Sequence, residues 1–211
     1  MNILMHWQLA RVICKSIEKE LNIHINKISF LYGNIKPDLQ PGSVPHYKHA
    51  AVEFVRGEIE KLSEHQETGR WSKQLSERMG VITHYLSDFF CYAHSEFFRD
   101  EIVEHYLYEF RLMSHFWKKK KRLKTQNVHH SELLTSPTKI LDYIVERHER
   151  YLDLITEDSA PFEEDIVHAV GVNILVCVSI LSLYFDQGID WSEWDENSLF
   201  YRYLPSANQW S

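Results

Sequence analysis

Residues 80–94 read GVITHYLSDFFCYAH, and the class of fold turns on how this stretch is read. It is apolar almost all round: Val81, Ile82, Tyr85, Leu86, Phe89, Phe90 and Cys91 leave no polar side. No strict alternation runs through it, so a strand with one wet face does not fit, whereas a buried helix does. On such a helix His84 and Asp88 stand four residues apart and share a face. A carboxylate buried there costs several kcal/mol unless it is paired or coordinates a cation. The stretch therefore poses a question of chemistry along with the answer about fold.

Helical periodicity continues in both directions. Leu9, Val12, Ile13, Ile17 and Leu21 make one stripe, with His6 along its edge. Residues 33–45, GNIKPDLQPGSVP, read as a loop. A second helix starts near Pro45 or His46 and buries Tyr47, Ala50, Ala51, Phe54, Val55 and Leu62. Past a break at Gly69, a third helix carries the opening stretch from about Trp71 toward Phe98. Asp100 is placed to cap a fourth, ending near Phe116 before the basic run at 118–122. Ser136-Pro137 signals a fifth helix through Tyr151, and Ser159 with Pro161 a sixth through Phe185. Residues 170–185 of the last are apolar but interrupted by Asn173, Ser179 and Ser182. That is short for a membrane span and reads as a core helix. The tail from Gly188, with Trp191, Trp194 and Trp210, is expected to pack as irregular structure. The expectation is an all-α protein, a single compact multi-helix domain over residues 1–211 with about six helices.

Composition agrees. Hydrophobic residues are 44% and charged residues 25%, ordinary for a globular chain, and seven Gly with six Pro are too few for many tight turns. A net charge of -7 argues against a nucleic-acid binder with a basic surface, and no stable nucleic-acid complex is expected. Cys14, Cys91 and Cys177 form no CxxC pair, which leaves neither a disulfide framework nor a thiolate zinc finger. The first residues lack the basic and apolar segments of a signal peptide. A soluble, reduced protein of the cytoplasm is expected.

Histidine is the unusual residue, at 13 of 211. Chance alone gives about two His–carboxylate pairs at i and i+4, and three occur, so position must separate them. His49/Glu53 shares a face with Arg56 and Glu60 and reads as a solvated pair. His105/Glu109 lies on a face with Ile102, Tyr106, Leu112, Met113 and Phe116, expected to point inward. His84/Asp88 lies in the apolar opening stretch. Either buried pair alone fits a hydrogen-bonded histidine as well as a metal ligand. Two on consecutive helices, with His94 between them, favour a metal. His24, His49, His65, His115, His129, His130, His148 and His168 read as surface or loop.

In order and spacing these elements resemble the zinc-dependent phospholipase C family, relatives of the P1-type zinc nucleases. The matching pieces are His6 in the first helix, GNIKPD ending at Asp38, His46, the H-x3-D-x5-H element of His84, Asp88 and His94, and HYLYE with His105 and Glu109. The resemblance covers about the first half of the chain. It implies an all-α fold and one zinc on Asp38, His46, His84 and Asp88, with a second on His94, His105 and Glu109. A third zinc would use His6, the bridging Asp88 and, in secreted relatives, the amino group of a leading Trp. No Trp precedes His6 here, Tyr92 stands where relatives often have Pro, and His49 is an alternative to His46.

Such a ligand set, without thiolate, suits zinc in a reactive, water-accessible state. The activity implied is phosphodiester hydrolysis by a zinc-activated hydroxide, with Asp38 doubling as ligand and catalytic proton acceptor. Phospholipid and nucleotide substrates both remain open; the run WKKKKRLK reads first as a solvated loop, and peripheral membrane contact or a polyphosphate chain is the alternative. The rival class is a non-catalytic helical protein with a structural metal. Glu-x-x-His, HExxH, Walker A, GxSxG and GxGxxG are all missing, which sets the common alternatives aside.

Overall fold

The computed structural model describes residues 1–21, 24–64, 71–98, 102–119, 133–155 and 161–185. Among them are seven α-helices: α1 (Ile3–Leu21), α2 (Lys27–Leu39), α3 (Lys48–Ser63), α4 (Lys73–Phe89), α5 (Ile102–Lys119), α6 (Pro137–Leu154) and α7 (Phe162–Tyr184). A 3-10 turn, Tyr92–His94, follows α4. The described residues contain no strand, and the all-α expectation holds.

α7 is the axis of the core. It packs against α1, α3, α4, α5 and α6, and most of its residues are buried within the protein. By length and composition it could cross a bilayer, but its apolar surface is already used by neighbouring helices. On its buried side Asn173 Nδ2 donates to Ala169 O at 2.7 Å and to Ser87 Oγ of α4 at 3.0 Å. Leu9, Ile13, Ile17 and Leu21 of the α1 stripe are buried as the periodicity indicates, with Val12 half-buried, and Ser136 caps α6 by accepting from Lys139 N–H at 3.2 Å.

The element missed in the sequence is α2. Gly33, Asn34, Pro37 and Asp38 were read as part of a loop, and they lie inside a helix whose first turn is capped by Asn26 accepting from Ser29 N–H at 3.0 Å. Pro37 falls in the last turn, where it has no N–H to give to Gly33 O, and the Gln40 N–H closes the end on Lys36 O at 3.1 Å. Gly33 is there for packing. A Cβ on it would lie 2.0 Å from Glu77 O and 3.0 Å from Gly80 Cα, and one on Gly80 would lie 2.3 Å from Phe30 O. Two glycines thus bring the α2 and α4 backbones into contact, which offsets the cost of helical Gly and Pro.

α4 is the second correction. It stops at Phe89, short of Phe98, because Phe90 leaves the helical region (φ -106°, ψ 43°) and the Tyr92 N–H is taken by Asp165 of α7 at 3.1 Å. The third lies on α5. Leu112 and Phe116 point inward, but Ile102 and Tyr106 are exposed. On α3, Phe54 is likewise only partly covered. Lastly, His148 and His168, read as surface, are buried around Phe90, with the His168 ring stacked on Phe90 at 5.8 Å. Asp100, Ser159 and the Trp-bearing tail fall outside the described residues.

Candidate metal centre

All eight residues singled out in the sequence converge at one end of the bundle. α1 contributes His6, α2 Asp38, α4 His84 and Asp88, the 3-10 turn His94, and α5 His105 with Glu109; His46 comes from the segment before α3. They form three groups, His6–His84–Asp88, Asp38–His46–His84 and His94–His105–Glu109, and within each the candidate ligand atoms lie within 4.8 Å of one another. His46, not His49, joins the cluster; His49 is exposed and stacks on Tyr47 at 5.7 Å.

Asp88 is the hub. It is fully buried, and its two oxygens face different partners. Oδ2 lies 2.9 Å from His46 Nδ1 and 3.4 Å from His84 Nε2. Oδ1 lies 3.2 Å from His6 Nε2, 3.6 Å from His94 Nε2 and against the Met1 amino group. Glu109 Oε1 plays the matching part on the other side, 3.0 Å from His105 Nε2, 3.2 Å from His94 Nε2 and 3.3 Å from the Met1 amine. Asp38 Oδ1 sits 3.7 Å from His46 Nδ1 and 3.9 Å from His84 Nε2.

The orientation of His84 is set from behind. Its Nδ1–H donates to the Asn34 carbonyl at 2.8 Å, which turns Nε2 toward the carboxylates, the usual way a ligating imidazole is held. That carbonyl is available because Asn34 lies in α2 directly against α4. Burial opposes charge throughout, and neighbours decide which groups keep it. Asp88 resists burial because the Met1 amine and His6 hold its carboxyl well below the usual range. Burial also works against Glu109, and the Met1 amine with His105 and His94 keeps it low. His94 goes the other way: burial, helped by the Met1 amine, takes it down to about 4, so it stays an unprotonated donor. Burial pushes Asp38 up, despite His6 beside it, and leaves it the more basic carboxylate of the centre.

The donor set fits a cation. Neither ring nitrogen of the fully buried His6 makes a hydrogen bond, and Asp88 Oδ2 and Asp38 Oδ2 also lack one, although imidazole nitrogens lie close to the first. Lone pairs aimed into one small volume, with imidazole and carboxylate but no thiolate, match a zinc site of the water-accessible kind.

The centre opens into a cavity of about 770 Å³. Asp38, His46, His94, His105 and Glu109 form its polar floor, while Ile3, Leu4, Ile102, Tyr106, Phe110 and Met113 make apolar walls. A family model for zinc dependent phospholipase C matches residues 5–156, a span that holds every one of the eight cluster residues. The chain belongs to this family. No curated protein and no solved structure matched it.

One further residue, marked by no motif in the sequence, shapes this family member's site. Asp165 on α7 is fully buried and accepts from Tyr108 Oη at 2.7 Å, Tyr92 N–H at 3.1 Å and Tyr151 Oη at 2.6 Å. It ties α7 to the turn bearing His94, to the residue before Glu109, and to α6. The available signal was an acid on the core side of an apolar helix, the same signal that marked Asp88.

Proposed function

We propose that the chain is a zinc-dependent phosphodiesterase that cleaves phospholipids. The observation that carries this reading is the meeting of three ligand groups on the floor of an apolar-walled cavity. Zinc would be held by Asp38, His46, His84 and Asp88, and by His94, His105 and Glu109, with a third ion on His6 and Asp88. When bound, zinc supplies Lewis acidity, bringing the pKa of water toward neutrality and offsetting phosphoryl charge. Asp88 holds the ligand groups in register through its two oxygens. Asp38, whose basicity is raised by burial, faces the cavity and is placed to take a proton from attacking water. The apolar walls would receive the glycerol and first acyl carbons and exclude water from them.

A lipid is favoured over a nucleic acid by a specific feature. Among the described residues no Lys or Arg lines the cavity, so a polyanionic strand would find no cationic partner among them. Action in the cytoplasm is part of the same proposal. Purified protein should carry about two zinc ions per chain, or three if the His6 group fills. Asp88→Asn should abolish hydrolysis of a chromogenic phosphodiester. Less than one zinc in a folded protein would sink the ligand assignment. Zinc without phosphodiesterase activity would leave a structural metal, and cleavage of single-stranded DNA but not phosphatidylcholine would make the chain a nuclease.

A further inference from the structure

α5 is apolar on two faces. Leu112 and Phe116 pack into the core and account for one. The other carries Ile102, Val103, Tyr106, Leu107, Phe110 and Trp117, whose exposure runs from 47% at Leu107 to 74% at Ile102. Placed at about 100° per residue, these six share one arc, and the exposed charges Glu104, Arg111 and Lys118 are set off to one side of it. A single exposed Leu or Phe is ordinary, but a contiguous arc continued by Ile3 and Leu4 of α1 marks an interaction surface.

We infer that this face of α5 docks the protein onto an anionic phospholipid surface and so presents the cavity to its substrate. The inference rests on the phospholipid reading above. Two observations select a bilayer as the occupant. The first is continuity: Ile102, Tyr106 and Phe110 belong both to the exposed arc and to the cavity wall beside His105 and Glu109. A lipid drawn up from a bilayer under this face would reach the ligand groups along apolar surface throughout. The second is charge. The chain carries a net -7, yet the sequence continues from Trp117 as KKKKRLK, residues 118–124. An exposed apolar helix face followed in sequence by a basic run is the composition of an interfacial helix, and cations of that run suit anionic headgroups.

The test uses the zinc-loaded full chain with vesicles of mixed phosphatidylcholine and phosphatidylglycerol, and of phosphatidylcholine alone. Sedimentation with the mixed vesicles is expected, with binding about tenfold weaker to phosphatidylcholine alone. The double variant V103E/L107E should bind mixed vesicles about 100-fold more weakly. Neither residue lines the cavity, so its zinc content and its hydrolysis of a soluble chromogenic phosphodiester should stay as in the parent. Should the pair of glutamates prevent folding, Leu107→Gln alone is expected to give an intermediate loss. A parent chain that hydrolyses the soluble ester but stays in the supernatant overturns the docking and leaves the proposed function standing. Vesicle binding lost in V103E/L107E, in a parent with no hydrolytic activity, supports the docking and refutes the function. Equal binding to both vesicle types overturns the anionic assignment. A doubled mass in solution that V103E/L107E abolishes would overturn the inference in favour of a second copy.

Discussion

Replacing Asp165 by Asn should alter how stability depends on pH more than it alters stability at low pH. The carboxyl is fully buried and receives three hydrogen bonds, from Tyr151, Tyr108 and the Tyr92 N–H. Burial outweighs these donors and raises it from 3.8 to about 7. The native state therefore holds this proton more tightly than the unfolded chain does. The resulting stabilisation is fully present below the unfolded value and is lost as pH rises through the folded one. A shift of about three pKa units, at about 1.4 kcal/mol each, amounts to about 4 kcal/mol spread between about pH 4 and pH 7. Asparagine has the same shape and no charge at any pH. Its oxygen can accept from Tyr108 and Tyr92 while its amide donates to the Tyr151 oxygen. Urea unfolding of parent and variant in chelator, from about pH 4 to about pH 8, gives a difference in which the other titrating groups cancel. The variant should match the parent near the acid end and exceed it by up to about 4 kcal/mol at the alkaline end. A difference independent of pH would refute the reasoning and mean that Asp165 is an anion in the native state throughout.

Three other outcomes follow from features already described. Gly33→Ala puts a Cβ 2.0 Å from the Glu77 carbonyl oxygen, so α2 must move off α4; a loss of about 3 kcal/mol in urea unfolding and weaker zinc binding are expected, since Asp38 moves with α2. Zinc at about a hundred times its dissociation constant should stabilise the chain by about 2.7 kcal/mol per site, read as a rise in Tm that chelator reverses; an unchanged Tm would count against the cluster as a metal site. Phe110→Ala removes one apolar wall of the cavity and should raise KM for a phospholipid several-fold, with kcat toward a small soluble phosphodiester little changed.

The sequence was legible where local chemistry decided the structure. Ser136-Pro137 announces the start of α6 because cap and first turn need only neighbouring residues, and Asp88 and Glu109 announce themselves because burying a carboxylate is costly wherever it occurs. It was misread where a distant contact reversed a local preference. Gly33 and Pro37 are breakers by propensity, and only the approach of Gly80 makes the glycine an asset in a helix. The end of α4 depends on Asp165, 73 residues beyond Tyr92 in the chain. α5 is apolar on two faces, so periodicity could establish the helix without saying which face turns inward. His148 and His168 are buried by packing around Phe90, which no spacing in their own helices reveals.

The contact between Gly33 and Gly80 also governs how this centre can change over evolutionary time. Asp38 sits on α2, and His84 and Asp88 on α4, so the gap between these groups is the gap between two main chains that touch. Side chains can repack around a substitution; backbones already in contact have nothing left to adjust. His105 and Glu109 arrive on α5, which meets the core through side chains such as Leu112 and Phe116, and those can drift. The centre thus has one fixed jaw and one adjustable jaw. Mutations on the α5 side can widen or narrow the cavity for a different substrate while Asp38, His84 and Asp88 keep their spacing.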